Sequence, residues 1–186
     1  SWLAHGNTND VVSIENGFNR FIPNRSKLVD DPHKADFIIL CLGETKEMSG
    51  ENGSRSTLQL HNAHMVEEFS RYKKPLILVV GSGRPISYQT LEPKVDAIIH
   101  IWQPGVEAGN ALAKLIFGLE NFSGKLAMTF PRTVGQVPIY YNKHQSARVG
   151  NGSWSGLYQD IESSPMYWFG HRLSYTSFKY DDLSMD

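Results

Sequence analysis

Apolar positions along the chain gather into three short continuous runs separated by stretches of helical spacing. Asp36 to Gly43 carries Ile38-Ile39-Leu40 at its heart and predicts a strand covered on both faces. A polar loop from Glu44 to about Thr57 follows, after which Met65, Val66, Phe69 and Tyr72 recur at helical intervals beside Glu67, Glu68 and Arg71. That pattern predicts a surface helix with one face inward. Pro75 opens the second run, Leu76 to Val80, which stops at Gly81-Ser82-Gly83-Arg84-Pro85 and leads into a short helix ending near Pro93. Ala97 to Trp102 reads as a third buried strand and Gln103-Pro104-Gly105 as a turn. Val106 to Phe117 then reads as a helix with Leu112, Leu115 and Ile116 inside and Gly118 beyond its end.

Strands alternating with helices in this way imply right-handed crossovers and a parallel sheet, with ligands at the carboxyl ends of its strands. The predicted class is therefore α/β: a mostly parallel sheet sandwiched between helices, a flavodoxin-like three-layer α/β/α arrangement, as one domain over residues 1–186. Lys125 to Phe130 is a candidate last strand. Beyond it Gly, Pro, Asn and aromatic residues dominate, and Pro131 to Asp186 is expected to be mostly irregular wrapping. The first 35 residues fit the pattern less well. Asn24 to Lys34 is polar and bounded by Pro23 and Pro32, and no strand precedes Trp2, so the sheet is expected to lack its first strand. No fixed-period repeat or low-complexity tract is present.

Composition narrows the function. A hydrophobic fraction of 40% and a charged fraction of 20% belong to a globular chain. Eighteen Lys and Arg against nineteen Asp and Glu, with no long basic run, argue against nucleic acid or an anionic membrane as partner. The apolar runs fall far short of the roughly 20 residues that cross a bilayer. The lone Cys41 allows no intrachain disulfide and, inside an apolar run, reads as a packed thiol. The chain opens on Ser1-Trp2 without an initiator Met or a signal-like segment, and is expected to be trimmed from something longer.

The loop after the first run holds the candidate chemistry: Glu44, Glu47 and Glu51 in Gly43-Glu44-Thr45-Lys46-Glu47-Met48-Ser49-Gly50-Glu51-Asn52-Gly53-Ser54-Arg55. From spacing alone, a solvated acidic loop is the favoured reading over catalysis. His61 and His64, three apart, lack a third ligand and read as surface histidines, so no metal is assigned. Gly81-Ser82-Gly83 lacks the third glycine of a dinucleotide fingerprint and no cofactor is assigned.

This loop resembles the acid/base loop of glycoside hydrolase family 3, in which Gly-Glu opens the loop and a second Glu, four residues before an Arg, donates the proton. Glu51 and Arg55 stand at those places. Further matches are Lys74-Pro75-Leu76, Gly83-Arg84-Pro85, Trp102-Gln103-Pro104-Gly105-Val106-Glu107, Leu115-Ile116-Phe117-Gly118 and Ser123-Gly124-Lys125-Leu126. Phe130 to Pro138, Phe169-Gly170, Leu173-Ser174-Tyr175-Thr176, and Trp2 with Ala4 and Gly6 continue the likeness over nearly the whole chain.

The resemblance implies the second, α/β sandwich domain of a retaining β-glucosidase acting on β-linked glucosides or short oligosaccharides. An N-terminal barrel carrying the Asp nucleophile would be its partner, in a periplasmic or secreted parent. Glu51 is then the general acid/base, Trp2 either a sugar-clamping ring or a terminal Trp with no sugar role, and Arg55 either a substrate-side residue that orients Glu51 or the partner of an acidic neighbour. Without the barrel the chain is expected to be inactive and Glu51 to be an exposed, ordinary carboxyl. The alternative is a non-catalytic scaffold or carbohydrate-binding module of the same fold. Departures from the family pattern are the shortened stretch from Phe18 to Pro32, His61, Phe122, and Arg172 in place of a glycine, which strains the turn if that glycine adopts a positive φ.

Overall fold

The structure is a computed structural model and describes residues 7–45, 47–48, 53–142, 158–182 and 184. Three strands, β1 (Ile38–Gly43), β2 (Leu76–Gly81) and β3 (Ala97–His100), form a parallel sheet in the order β1-β2-β3. Register runs from Ile38 against Leu76 to Gly43 against Gly81, so the first two strands end side by side.

Alternation along the strands feeds two cores. Ile38, Leu40, Leu76, Leu78 and Val80 face one way, onto Val66 of helix α2 (His64–Ser70) and onto Ile86, Tyr88 and Leu91 from the β2–β3 crossover. Both crossovers thus cover the same face, as right-handed connections stepping in one direction require. Val79, Ile77 and Ile99 face the other way, onto Phe18 of α1 (Ile14–Phe21) and Leu112 and Ala113 of α3 (Ala108–Ile116). The result is the three-layer α/β/α fold that the pattern predicted.

Helix α1 is the element the sequence reading did not foresee. Ser13 caps it by accepting from the Asn16 backbone N–H at 3.1 Å, Glu15 and Arg20 suit the two ends of its dipole, and it stops just before Pro23. Gly17 lets it lie on α3: a Cβ there would come within 2.1 Å of the Gly109 carbonyl, and one on Gly109 within 2.0 Å of the Ser13 oxygen. Backbone bonds Val12 N to Val106 O (2.8 Å) and Gly109 N to Val12 O (3.2 Å) tie the two approach segments together.

Several expectations need correction. The third strand ends at His100 instead of Trp102, because Trp102 takes a left-handed φ of 51° that leaves the ladder. The stretch near Pro93 forms only a 3-10 turn, Glu92–Lys94. Lys125 to Phe130 gives a single antiparallel bridge, Phe130 to Tyr167, in place of a strand, since its neighbour across the bridge is itself a loop. Cys41 is exposed, not packed. It lies on β1, at one edge of the described sheet; even so, neighbouring atoms desolvate the thiol and push its pKa up to about 11. Arg172 does not take a positive φ, so the strain that one would bring at that turn does not arise. Gly170 takes one, at 81°, and the Arg172 guanidinium lies over the Phe178 ring.

Candidate functional site at the carboxyl edge of the sheet

Gly43 and Gly81 end neighbouring strands, and a Cβ on Gly43 would meet the Gly81 oxygen at 2.5 Å. That approach lets the Glu44 N–H donate to Gly81 O at 3.0 Å and puts the residues that follow each strand beside one another. The Glu44 carboxylate, whose side chain is 3% exposed, takes Arg84 Nη2 at 2.7 Å and Nε at 2.9 Å on Oε1, and Ser82 Oγ at 2.9 Å on Oε2. Arg55 Nη1 adds a longer bond to Oε1 at 3.4 Å and also reaches Met48 Sδ at 3.5 Å. Arg84 Nη1 donates to the Thr57 carbonyl at 2.5 Å. One buried ion cluster therefore grips both stems of the loop that starts at Glu44.

Electrostatics fix the protonation of this cluster. Burial pushes the Glu44 carboxyl upward, but the bonds from Arg84 and Ser82 and the two guanidinium charges outweigh it and hold the pKa below the ordinary range. Glu44 is an acceptor-only carboxylate at neutral pH. Deeper in, Tyr88 Oη and His100 Nδ1 are 2.7 Å apart, and the His100 ring stands edge-on to Trp102, with centroids 4.4 Å apart. Burial, against smaller upward pulls from the Ser82 backbone and Glu44, lowers the His100 pKa to about 4. The ring is neutral at pH 7, the direction of its bond with Tyr88 follows its tautomer, and its Nε2 is buried and has no hydrogen-bond partner among the described residues.

Residues 1–175 match the Glycosyl hydrolase family 3 C-terminal domain. The chain belongs to that family. It is 35% identical over 158 residues to a Periplasmic beta-glucosidase of Salmonella typhimurium, covering 82% of this chain and 21% of that protein. It is 38% identical over 154 residues to a Beta-xylosidase of Formosa agariphila, with 82% and 21% covered. The beta-glucosidase from Listeria innocua in complex with gluconolactone superposes with a TM-score of 0.85 at 31% identity, over 94% of this chain and 27% of that one. The chain thus spans about a fifth of the length of the curated relatives it matches.

Within this glycoside hydrolase family 3 domain, the predicted site residues divide. Trp2 and Glu51 lie outside the described residues. Arg55 lies in the Glu44 cluster, with its side chain 26% exposed. Glu47 is exposed on the same loop. The picture of a uniformly solvated acidic loop fails at Glu44, because strand pairing buries its side chain against Arg84. Sequence reading had both residues on the page and did not join them. The available signal was the parallel pairing itself: adjacent strand ends lie about 4.8 Å apart, so an acid just after one strand and a base just after its neighbour are placed to meet. Among the described residues no group of three His, Cys, Asp or Glu could hold a metal, and no helix is long and apolar enough to cross a membrane.

Proposed function

We propose that this chain is the acid/base-bearing domain of a retaining β-glucosidase, a single α/β domain of a longer, periplasmic or secreted enzyme. Its substrates are β-linked glucosides or short oligosaccharides. Membership of glycoside hydrolase family 3 supports this reading, as does the loop bearing Glu51, which is rooted by a buried ion cluster at the carboxyl edge of a parallel sheet, where α/β folds bind ligands.

Two carboxyl groups about 5 to 5.5 Å apart serve such a reaction. A carboxylate from the N-terminal barrel attacks the anomeric carbon while the Glu51 carboxyl gives its proton to the glycosidic oxygen. The C–O bond breaks with its electron pair on that oxygen, and the alcohol leaves. Glu51, now a carboxylate, takes a proton from water, whose oxygen attacks the same carbon and releases the barrel carboxylate. Trp2 offers a flat apolar face to the sugar, and Arg55 a guanidinium that reaches both the loop and its root.

The test is hydrolysis of an aryl β-glucoside by the isolated chain, by the chain mixed with a separately made barrel, and by the intact parent, each with and without Glu51→Gln. Turnover that needs the barrel and falls about 10²- to 10⁴-fold on Glu51→Gln is the expected result. Turnover by the lone chain, or a Glu51→Gln parent of full activity, overturns the reading and favours a scaffold or carbohydrate-binding module.

A further inference from the structure

Glu44 is buried, ionised and filled with donors, so it has no proton to give and no lone pair turned to a ligand. Its partners are what set it apart. Arg55, eleven positions downstream at the far end of the loop, donates to the same oxygen as Arg84. Arg84 in turn holds the Thr57 carbonyl two residues further on. The outgoing and returning stems are thereby fixed to one carboxylate, which is itself fixed to the end of β2 through Ser82. Glu51 is four residues from Arg55, within about 14 Å even on a fully extended chain.

We propose that Glu44, clamped by Arg84, is a positioning residue for the acid/base group: it sets both stems of the loop so that the Glu51 carboxyl meets the departing glycosidic oxygen. The inference rests on the reading of Glu51 as acid/base and adds a residue that acts through it. Proton donation matters most when the leaving alcohol is a poor one, and a displacement of about 1 Å in such a group costs on the order of 10²-fold in rate. A loosened root therefore has a signature distinct from a loosened fold.

The experiment uses the intact parent enzyme with aryl β-glucosides of graded leaving-group acidity, comparing Glu51→Ala, Glu44→Gln and Arg55→Met. Glu51→Ala is expected to lose about 10³-fold on alkyl or phenyl glucosides and far less on a dinitrophenyl glucoside. Azide should restore its turnover, because azide attacks the glycosyl carbon without needing a base and gives the glycosyl azide. Glu44→Gln is expected to show the same dependence in smaller measure, about 10- to 100-fold on poor leaving groups and within about 3-fold on the activated one, with partial azide rescue. Equal losses across all leaving groups, or no loss, overturn the positioning role while leaving Glu51 intact. A Glu51→Ala enzyme without leaving-group dependence overturns both. If Glu44→Gln does not fold, Arg55→Met, which frees the return stem through a less buried bond, carries the same comparison with the same criteria.

Discussion

The loop root at the carboxyl edge of the sheet and the α1–α3 seam on its face both join segments far apart in sequence, by opposite physics. At the root, charge is buried: one carboxylate, two guanidinium groups and a serine hydroxyl meet where two strands end in glycine. At the seam the close contact itself carries no charge, and the charged side chains, Arg20 on Asn110 at 3.1 Å and Lys114 over the Phe21 ring, stand at its border. Gly17 and Gly109 remove their side chains so that backbone meets backbone, and Phe18 packs at 5.5 Å from Phe117 beside the contact. A seam of this kind tolerates no added volume and is indifferent to pH and salt. A buried ion cluster depends on both partners being present and charged, which suits a site that must hold a loop in one place.

The largest expected effect comes from taking one partner out of the root. Arg84→Met leaves the Glu44 carboxylate, 3% exposed, with only Ser82 and the longer bond from Arg55, and should lower the unfolding free energy by about 3 kcal/mol in chemical denaturation. Adding Glu44→Gln in the same background removes the uncompensated charge and should recover part of that loss. A cost below about 1 kcal/mol for Arg84→Met would show that the root is solvated and that the contrast with the seam is false.

The next effect is one of pH. His100 feels the charge of the root's Glu44 and has its pKa lowered by burial from 6.5 to about 4, so the unfolded chain binds the proton more readily. Its contribution is present in full above pH 6.5 and drains away as pH falls from 6.5 toward 4, by about 3 kcal/mol. Glu44, with a lowered pKa, loses its contribution only below its ordinary value of 4.5. His100→Phe should flatten melting temperature against pH between 4 and 6.5 while the steeper fall below 4.5 persists. An unchanged slope would place the titration elsewhere.

These two regions also differ in how far the sequence reveals them. The three strands and α2 and α3 were legible because continuous apolar runs and i, i+3, i+4 spacing report burial directly. The family itself was legible through ordered motif matches over nearly the whole chain. The seam was not, since glycines carry no periodic signal and α1, eight residues long, buries only Gly17 and Phe18. Nor was the Glu44–Arg84 pair, because the two are 40 positions apart and meet only through strand register. Trp102 ended its strand two residues early for a reason no apolar run encodes, a left-handed backbone at a bulky residue.

At the seam, Gly109→Ala is expected to cost about 2 kcal/mol despite alanine's better helix propensity, because its Cβ would meet a main-chain oxygen that no rotamer change can move. Gly124→Ala is the control. A Cβ there has nothing within 4 Å, and the change should be neutral or stabilising by a few tenths of a kcal/mol. Equal effects at the two positions would mean that α1 does not rest on α3 as described.

The smallest effect separates the members of the root itself. Arg55 donates one bond of 3.4 Å and keeps 26% of its side chain in solvent, whereas Arg84 is forked onto the carboxylate at 2.7 and 2.9 Å. Arg55→Met should therefore cost under about 1 kcal/mol, and its gap from the unaltered protein should shrink as salt rises toward about 1 M, where screening acts over about 3 Å. The Arg84→Met gap should respond less to salt, since its shorter, forked bonds hold a carboxylate that is 3% exposed, although the Arg84 side chain itself is 20% exposed. If both gaps close together, the two bonds are equally screened and the root grips its loop no more firmly at one stem than at the other.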